Sequence, residues 1–174
     1  EEIQTPGEGQ IRSLITVAGN PVLSSPSGHK LAEAFEGLDY MVSVDIYLNE
    51  TTKYANIILP GTTGVENSHF DIFFNSFSVR NTVKYSGPLF EKQDYQRNDY
   101  QILNELSARI TDTQVNPYTP EMILDMELKS GPYGEEGMSL QKLIDNPHGI
   151  DIGPLMPCIE DRIKTAEGRV DLFP

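Results

Sequence analysis

Cysteine is almost missing from this chain. Cys158 stands alone among 174 residues. Neither an internal disulfide nor a thiolate metal cluster can be built from it. Basic residues are scarce as well: 13 Lys and Arg face 26 Asp and Glu, a net charge of −13. The acids are spread rather than gathered in a tail, which fits a solubilising surface and argues against nucleic-acid backbone binding. No apolar run approaches the roughly 18 residues of a membrane helix. Neither G-x-G-x-x-G nor a phosphate-loop lysine motif occurs. Glu66, His69 and Asp71 match no common metal-ligand spacing. His29 and His148 read as solvent-facing, and Ser24-Ser25 lacks the context of a nucleophile elbow. No catalytic residue and no metal ligand is therefore expected within this stretch.

The pattern that is present is that of an α/β domain. Arg12 to Ala18 is a short β-rich run, expected as a first buried strand that stops at Gly19-Asn20-Pro21. Pro21 disfavours helix at Asn20 and places that residue at the tip of a turn. A helix is expected from Ser24-Ser25-Pro26, with Leu31, Ala34, Phe35 and Leu38 forming one apolar stripe. Tyr40 to Val44 is the second strand, so strand, helix and strand make a βαβ unit. Asn49 suits a cap for a short helix over 50–54. Asn56 to Leu59 reads as a third strand, closed by Pro60.

Further on, Ser78 to Lys84 is expected as a strand, and most aromatic residues in 70–100 as core. Asn98-Asp99-Tyr100-Gln101 has the form of a capping box. The helix behind it carries Ile102, Leu103, Leu106 and Ile110. Further helices are expected from Thr119-Pro120 to Gly131 and over 139–145. After Asn146 the prolines and glycines should exclude regular structure for long.

In open parallel α/β sheets, ligands bind outside the carboxyl ends of the strands. Here the second strand ends on Asp45, and the third leads into a polar loop reaching Glu66 and Asn67. A carboxylate is acceptor-only, with two oxygens. Asp45 thus suits two adjacent donors on one ligand edge, either a guanine-type base or a ribose diol. It equally suits capping of the turn that follows it.

The string from Ala18 to Asn67 resembles the molybdopterin oxidoreductases of the dimethyl sulfoxide reductase superfamily, which include formate dehydrogenases and nitrate reductases. The resemblance is carried by Gly19-Asn20-Pro21, by Val44-Asp45, and by Glu50-Thr51 followed by Ala55-Asn-Ile-Ile-Leu-Pro60. Glu66 and Arg97-Asn98-Asp99 extend it, as do 148–157 and 165–174. It implies a large enzyme holding molybdenum or tungsten between two molybdopterin guanine dinucleotides, the bis-molybdopterin guanine dinucleotide cofactor. This chain would be its third, dinucleotide-binding domain, a Rossmann-like three-layer α/β/α fold with a mostly parallel sheet over residues 1–112. Residues 113–174 would be a helical and extended connector to the next domain.

Matched position by position, the nucleotide contacts fall on Asn20, Val44, Asp45, Asn67 and Asp99. Asn56 departs from the Asp usual there, a change expected to affect capping and not the ligand. The metal ligand and a [4Fe-4S] cluster would lie elsewhere in the full-length protein, so this chain alone should be inactive. Its partners would be the other domains of the same polypeptide and an electron-transfer subunit. The cytoplasm and the periplasm of a prokaryote both fit. The lack of an initiator Met and the strand-like start over 169–174 suggest a piece of a longer protein, whose leader would then be unreadable here. Two alternatives remain. One is an interaction domain of a molybdenum-free homologue, such as the large iron–sulfur subunit of NADH–quinone oxidoreductase. The other is a free nucleotide-binding module.

Overall fold

A computed structural model of the chain describes residues 1–170 and Leu172. The chain is mixed α/β and divides into two compact units. The first comprises residues 1–68 and 87–119, and the second comprises 69–86 and 120 to the C-terminus.

The first unit is built on β1 (Ser13–Val17), β2 (Tyr40–Val44) and β3 (Ile57–Leu59), parallel and in that spatial order. Two helices lie between β1 and β2: α1 (Pro21–Ser24) and α2 (Gly28–Glu36). The helix expected from Pro26 is α2, which starts two residues later, and α1 is an additional turn of helix ahead of it. Ser27 takes a left-handed backbone (φ 58°), and α2 starts behind it. Gly28 permits the break, because a Cβ there would lie 1.9 Å from the carbonyl oxygen of Val22. The stripe of α2 buries Ala34 and Phe35, and Phe35 meets the Tyr54 ring edge-on with centroids 6.4 Å apart.

Side chains alternate along β2. Met41 and Ser43 are fully buried at 0% exposure, and Ser43 Oγ hydrogen-bonds Thr16 Oγ1 at 2.8 Å. On the opposite face the register places Ile15, Val42 and Ile57 in one row, with Ile15, Ile57 and nearby Tyr40 each 44% exposed. This corrects the expectation of a buried first strand. β1 is an edge strand whose Ser13–Ile15–Val17 face is open. Asn56 ties the sheet at its other end: its Oδ1 accepts the Met41 N–H at 2.7 Å, and its own N–H donates to Met41 O at 2.8 Å. An aspartate carboxylate would accept the same bond. The unit also holds α3 (Asp99–Thr111), on which Ala108 is buried while Ile110, expected in the stripe, is exposed.

The second unit holds β4 (His69–Phe70) paired antiparallel with β6 (Tyr85–Ser86), and β5 (Arg80–Val83) paired antiparallel with β7 (Ile150–Pro154). It also contains α4 (Pro120–Ser130), α5 (Leu140–Ile144) and α6 (Ile159–Arg162). Strand β7 falls where prolines and glycines were expected to exclude regular structure. Gly149 at positive φ precedes it, Gly153 at positive φ is its fourth residue, and Pro154 is its last. Ser139 caps α5 by accepting the Lys142 N–H, and Leu143 is fully buried. The aromatic residues expected as core are largely exposed. Phe73, Phe74 and Phe77 are open, as is Val79 at 94%. Their run lies on the short 3₁₀ turn Phe74–Phe77 and its flanks, where no face is apolar at a fixed period.

Candidate functional site

The parallel register fixes a rim. Val17, Val44 and Leu59 stand side by side at the carboxyl ends of β1, β2 and β3. The segments leaving those strands, which carry Asn20, Asp45 and the loop 61–67, therefore start from one edge of the sheet. Val44 itself is buried, and its carbonyl accepts the Ala18 N–H at 2.8 Å.

Asp45 and Asn20 are joined through the turn that follows β2. Asp45 Oδ1 accepts the Tyr47 N–H at 2.9 Å, and Oδ2 accepts Asn49 Nδ2 at 3.1 Å. Asn49 Oδ1 in turn accepts the N–H groups of Thr51 and Thr52, both at 2.9 Å. Thr51 Oγ1 donates to Asn20 Oδ1 at 2.8 Å, and Asn20 Nδ2 donates to Glu50 Oε2 at 2.6 Å. The turn-capping role weighed for Asp45 is present in this geometry. A carboxylate has about four lone-pair sites, so each Asp45 oxygen keeps one for another donor. The hydrogen bond from Asn20, first, and a backbone N–H hold the Glu50 carboxyl below the usual glutamate range, with Lys53 adding a smaller pull.

Asn67 and Asp99 belong to a second cluster, where the 61–67 loop meets the start of α3. Asn67 Oδ1 accepts from Thr62 Oγ1 at 2.9 Å and from Asn98 Nδ2, while its own Nδ2 donates to Thr63 O at 3.0 Å. Asn98 also donates to Thr62 Oγ1 at 3.0 Å. Gln101 Oε1 accepts the Asn98 N–H at 3.0 Å and closes the capping box. Lys92 Nζ reaches Asn98 Oδ1 and Gln101 Oε1, each at 2.6 Å. Asp99 lies in the first turn of α3, with its carboxylate against Gly61. A Cβ on Gly61 would stand 2.0 Å from Asp99 Oδ1. Glu66 accepts both the N–H and the hydroxyl of Thr63, at 2.8 and 2.9 Å. Those bonds, the N–H first, lower its pKa, and Gln96 adds the smallest contribution.

Among the described residues no three of His, Cys, Asp and Glu gather as a metal site would require. No helix among them is long and apolar enough to cross a membrane.

The family model for molybdopterin oxidoreductase matches residues 1–109. The chain belongs to the molybdopterin oxidoreductase family. Relatives of this molybdopterin oxidoreductase chain include the "Probable oxidoreductase YyaE" of Bacillus subtilis (strain 168). The two are 28% identical over 148 residues, which cover 85% of this chain and 21% of that protein. The assimilatory nitrate reductase catalytic subunit of the same strain is 25% identical over 134 residues, 77% of this chain and 18% of its own length. The F420-dependent formate dehydrogenase subunit alpha of Methanocaldococcus jannaschii is 24% identical over 180 residues, 94% of this chain and 24% of that protein. The chain thus spans about a fifth of the length of the curated relatives it matches first.

Within the family match, sequence reasoning singles out Asn20, Asp45, Asn67 and Asp99 but not the residues that hold them. Thr51 bonds Asn20 and Thr62 bonds Asn67, while Lys92 holds Asn98 and Gln101, and Gln96 holds Glu66, around them. For Thr51 the signal was legible: Asn49-Glu50-Thr51-Thr52 has the composition of an Asx-turn, whose side chains bond local backbone. Lys92 had none, because its reach to Asn98 and Gln101 depends on how the irregular 93–97 segment turns back onto the start of α3.

Proposed function

We propose that this chain is the part of a molybdenum- or tungsten-dependent oxidoreductase that holds one molybdopterin guanine dinucleotide. In the whole enzyme its sheet would be the centre of a Rossmann-like three-layer arrangement. Residues 1–112 would carry the nucleotide, interrupted by the 69–86 excursion, and 113–174 would lead toward the next domain. The metal ligand, a [4Fe-4S] cluster and the contacts to an electron-transfer subunit would lie outside these residues, leaving the chain inactive alone. The relatives named above do not favour the molybdenum-free alternative.

One observation carries this reading: the register that sets Asn20, Asp45 and the 61–67 loop on one carboxyl-end rim. The donor set fits the ligand. Asp45 has one open lone-pair site on each oxygen, which matches the adjacent N1–H and N2–H₂ donors of guanine. Asn20 adds an amide, and Asp99 stands at the start of α3. Phosphate groups need no lysine where backbone N–H groups point at them. When bound, the metal centre supplies two-electron redox chemistry. The residues of this chain bind and orient the nucleotide end of the cofactor.

The test is Asp45→Ala in the full-length enzyme. Two charge-assisted hydrogen bonds of about 1.5 kcal/mol each correspond to a loss of retention of roughly a hundredfold. The readout is guanine nucleotide released per polypeptide on acid denaturation after dialysis. Full occupancy in the variant would overturn the assignment.

A further inference from the structure

An N-cap asparagine ordinarily turns its side chain back onto its own helix and accepts an N–H from the second or third residue. Asn20 does not. It occupies the N-cap position of α1, yet its side chain makes no cap bond. The N–H of Val22, the second residue of α1, donates instead to Thr51 Oγ1 at 3.1 Å. Thr51 comes from the turn after β2 and is fully buried.

A hydroxyl has one proton to give. Because Thr51 Oγ1 accepts from Val22, that proton is directed to Asn20 Oδ1 at 2.8 Å. The amide oxygen therefore faces Thr51 and the amide nitrogen faces away. Glu50 Oε2, at 2.6 Å from Nδ2, agrees with this assignment of the amide atoms, since an ionised carboxylate only accepts. One Nδ2 hydrogen goes to Glu50, and the second remains.

We propose that Thr51 is the positioning residue for Asn20: it caps α1 in the asparagine's place and so holds the Asn20 amide on the rim, nitrogen outward, as a donor to an oxygen of the bound nucleotide. Without the hydroxyl, Asn20 reverts to ordinary N-cap behaviour. Its Oδ1 takes the Val22 N–H, and the rim loses a donor. This rests on the reading that the rim holds the dinucleotide.

The experiment uses the full-length enzyme and the retention assay above on Thr51→Val, Thr51→Ser, Asn20→Ala and the double variant Asn20→Ala/Thr51→Val. Thr51→Val and Asn20→Ala should each weaken retention by roughly tenfold, the worth of one hydrogen bond to a charged group. Thr51→Ser should retain the nucleotide as wild type does. The double variant should be no worse than Asn20→Ala, because residues acting through one another are not additive. A merely structural threonine would give additive losses, and that result overturns the proposal. So does full retention in Thr51→Val, or a loss in Thr51→Ser as large as in Thr51→Val. Where Thr51→Val does not fold, Thr51→Cys keeps the volume with a weak donor and acceptor. It should retain several-fold less than Thr51→Ser, and equality between those two overturns the proposal. Asp45→Ala separates the two levels. If it loses nucleotide while Thr51→Val keeps it, only the role of Thr51 fails. If Asp45→Ala keeps it as well, the dinucleotide reading fails too.

Discussion

Glu66 shows how a single side chain sets the shape of the rim. Its carboxylate takes two bonds from Thr63 and one from Gln96, at 2.8, 2.9 and 3.3 Å. It thereby ties the loop after β3 to the segment before α3. Its folded-state pKa lies below the unfolded one. The stabilisation is therefore fully present above the ordinary glutamate range and is lost as pH falls through the lowered folded value. The Thr63 amide resonance in selectively labelled protein should shift with an inflection below that ordinary range. Glu66→Gln should abolish the inflection. An unchanged titration curve in Glu66→Gln would assign it to another group.

Asp45 offers a second lesson at this scale. Its place after an apolar strand was legible, because a carboxylate there interrupts a run of β-formers. Its two internal bonds were not, since they depend on how the 46–49 turn closes.

Among the elements, α3 is the one whose start matters most. Its capping box was readable from Asn98 and Gln101 at N-cap and N3. The further duties of Asn98 were not, because Thr62 and Asn67 lie more than thirty residues earlier in the chain. Asn98→Ala removes a cap worth about 1 kcal/mol. It should raise hydrogen exchange in the first turn of α3 at least roughly fivefold. Exchange should also rise in the 62–67 loop, which a simple cap would leave alone. Protection lost only in α3 would reduce Asn98 to a cap.

The strands show what periodicity can and cannot supply. β2 and β3 were legible from dense β-branched runs ending at Asp45 and Pro60. β7 was hidden because Gly149, Gly153 and Pro154 are breakers in most contexts, yet here they sit at the ends of a strand paired with β5. The exposed Phe73, Phe74 and Phe77 were misread for a related reason. Aromatic content implies burial only where some element presents a face to receive it.

At the scale of the molecule, a parallel sheet is ordinarily covered on both faces. Here the row Ile15–Val42–Ile57 is half open, and Phe73, Phe74 and Phe77 are open in the other unit. Contiguous apolar surface of this kind recruits partners or drives association. The isolated 174-residue chain should therefore enhance the fluorescence of an apolar dye such as ANS. The paired substitution Ile15→Lys and Ile57→Lys should reduce that signal. An unchanged signal would place the dye elsewhere. The net charge of −13 works against association, so the dye signal should appear before aggregates do.

Among the described residues no buried side-chain nitrogen or oxygen lacks a hydrogen-bond partner. The polar atoms of the rim are bonded to one another, from Asp45 through Asn49 and Thr51 to Asn20 and Glu50. On the proposed reading, a nucleotide would add its bonds to this network, at the open lone-pair sites of Asp45 and the second Nδ2 hydrogen of Asn20, and would break none of it. If the rim holds a nucleotide as proposed, its polar groups would be pre-organised and would need no rearrangement to receive it.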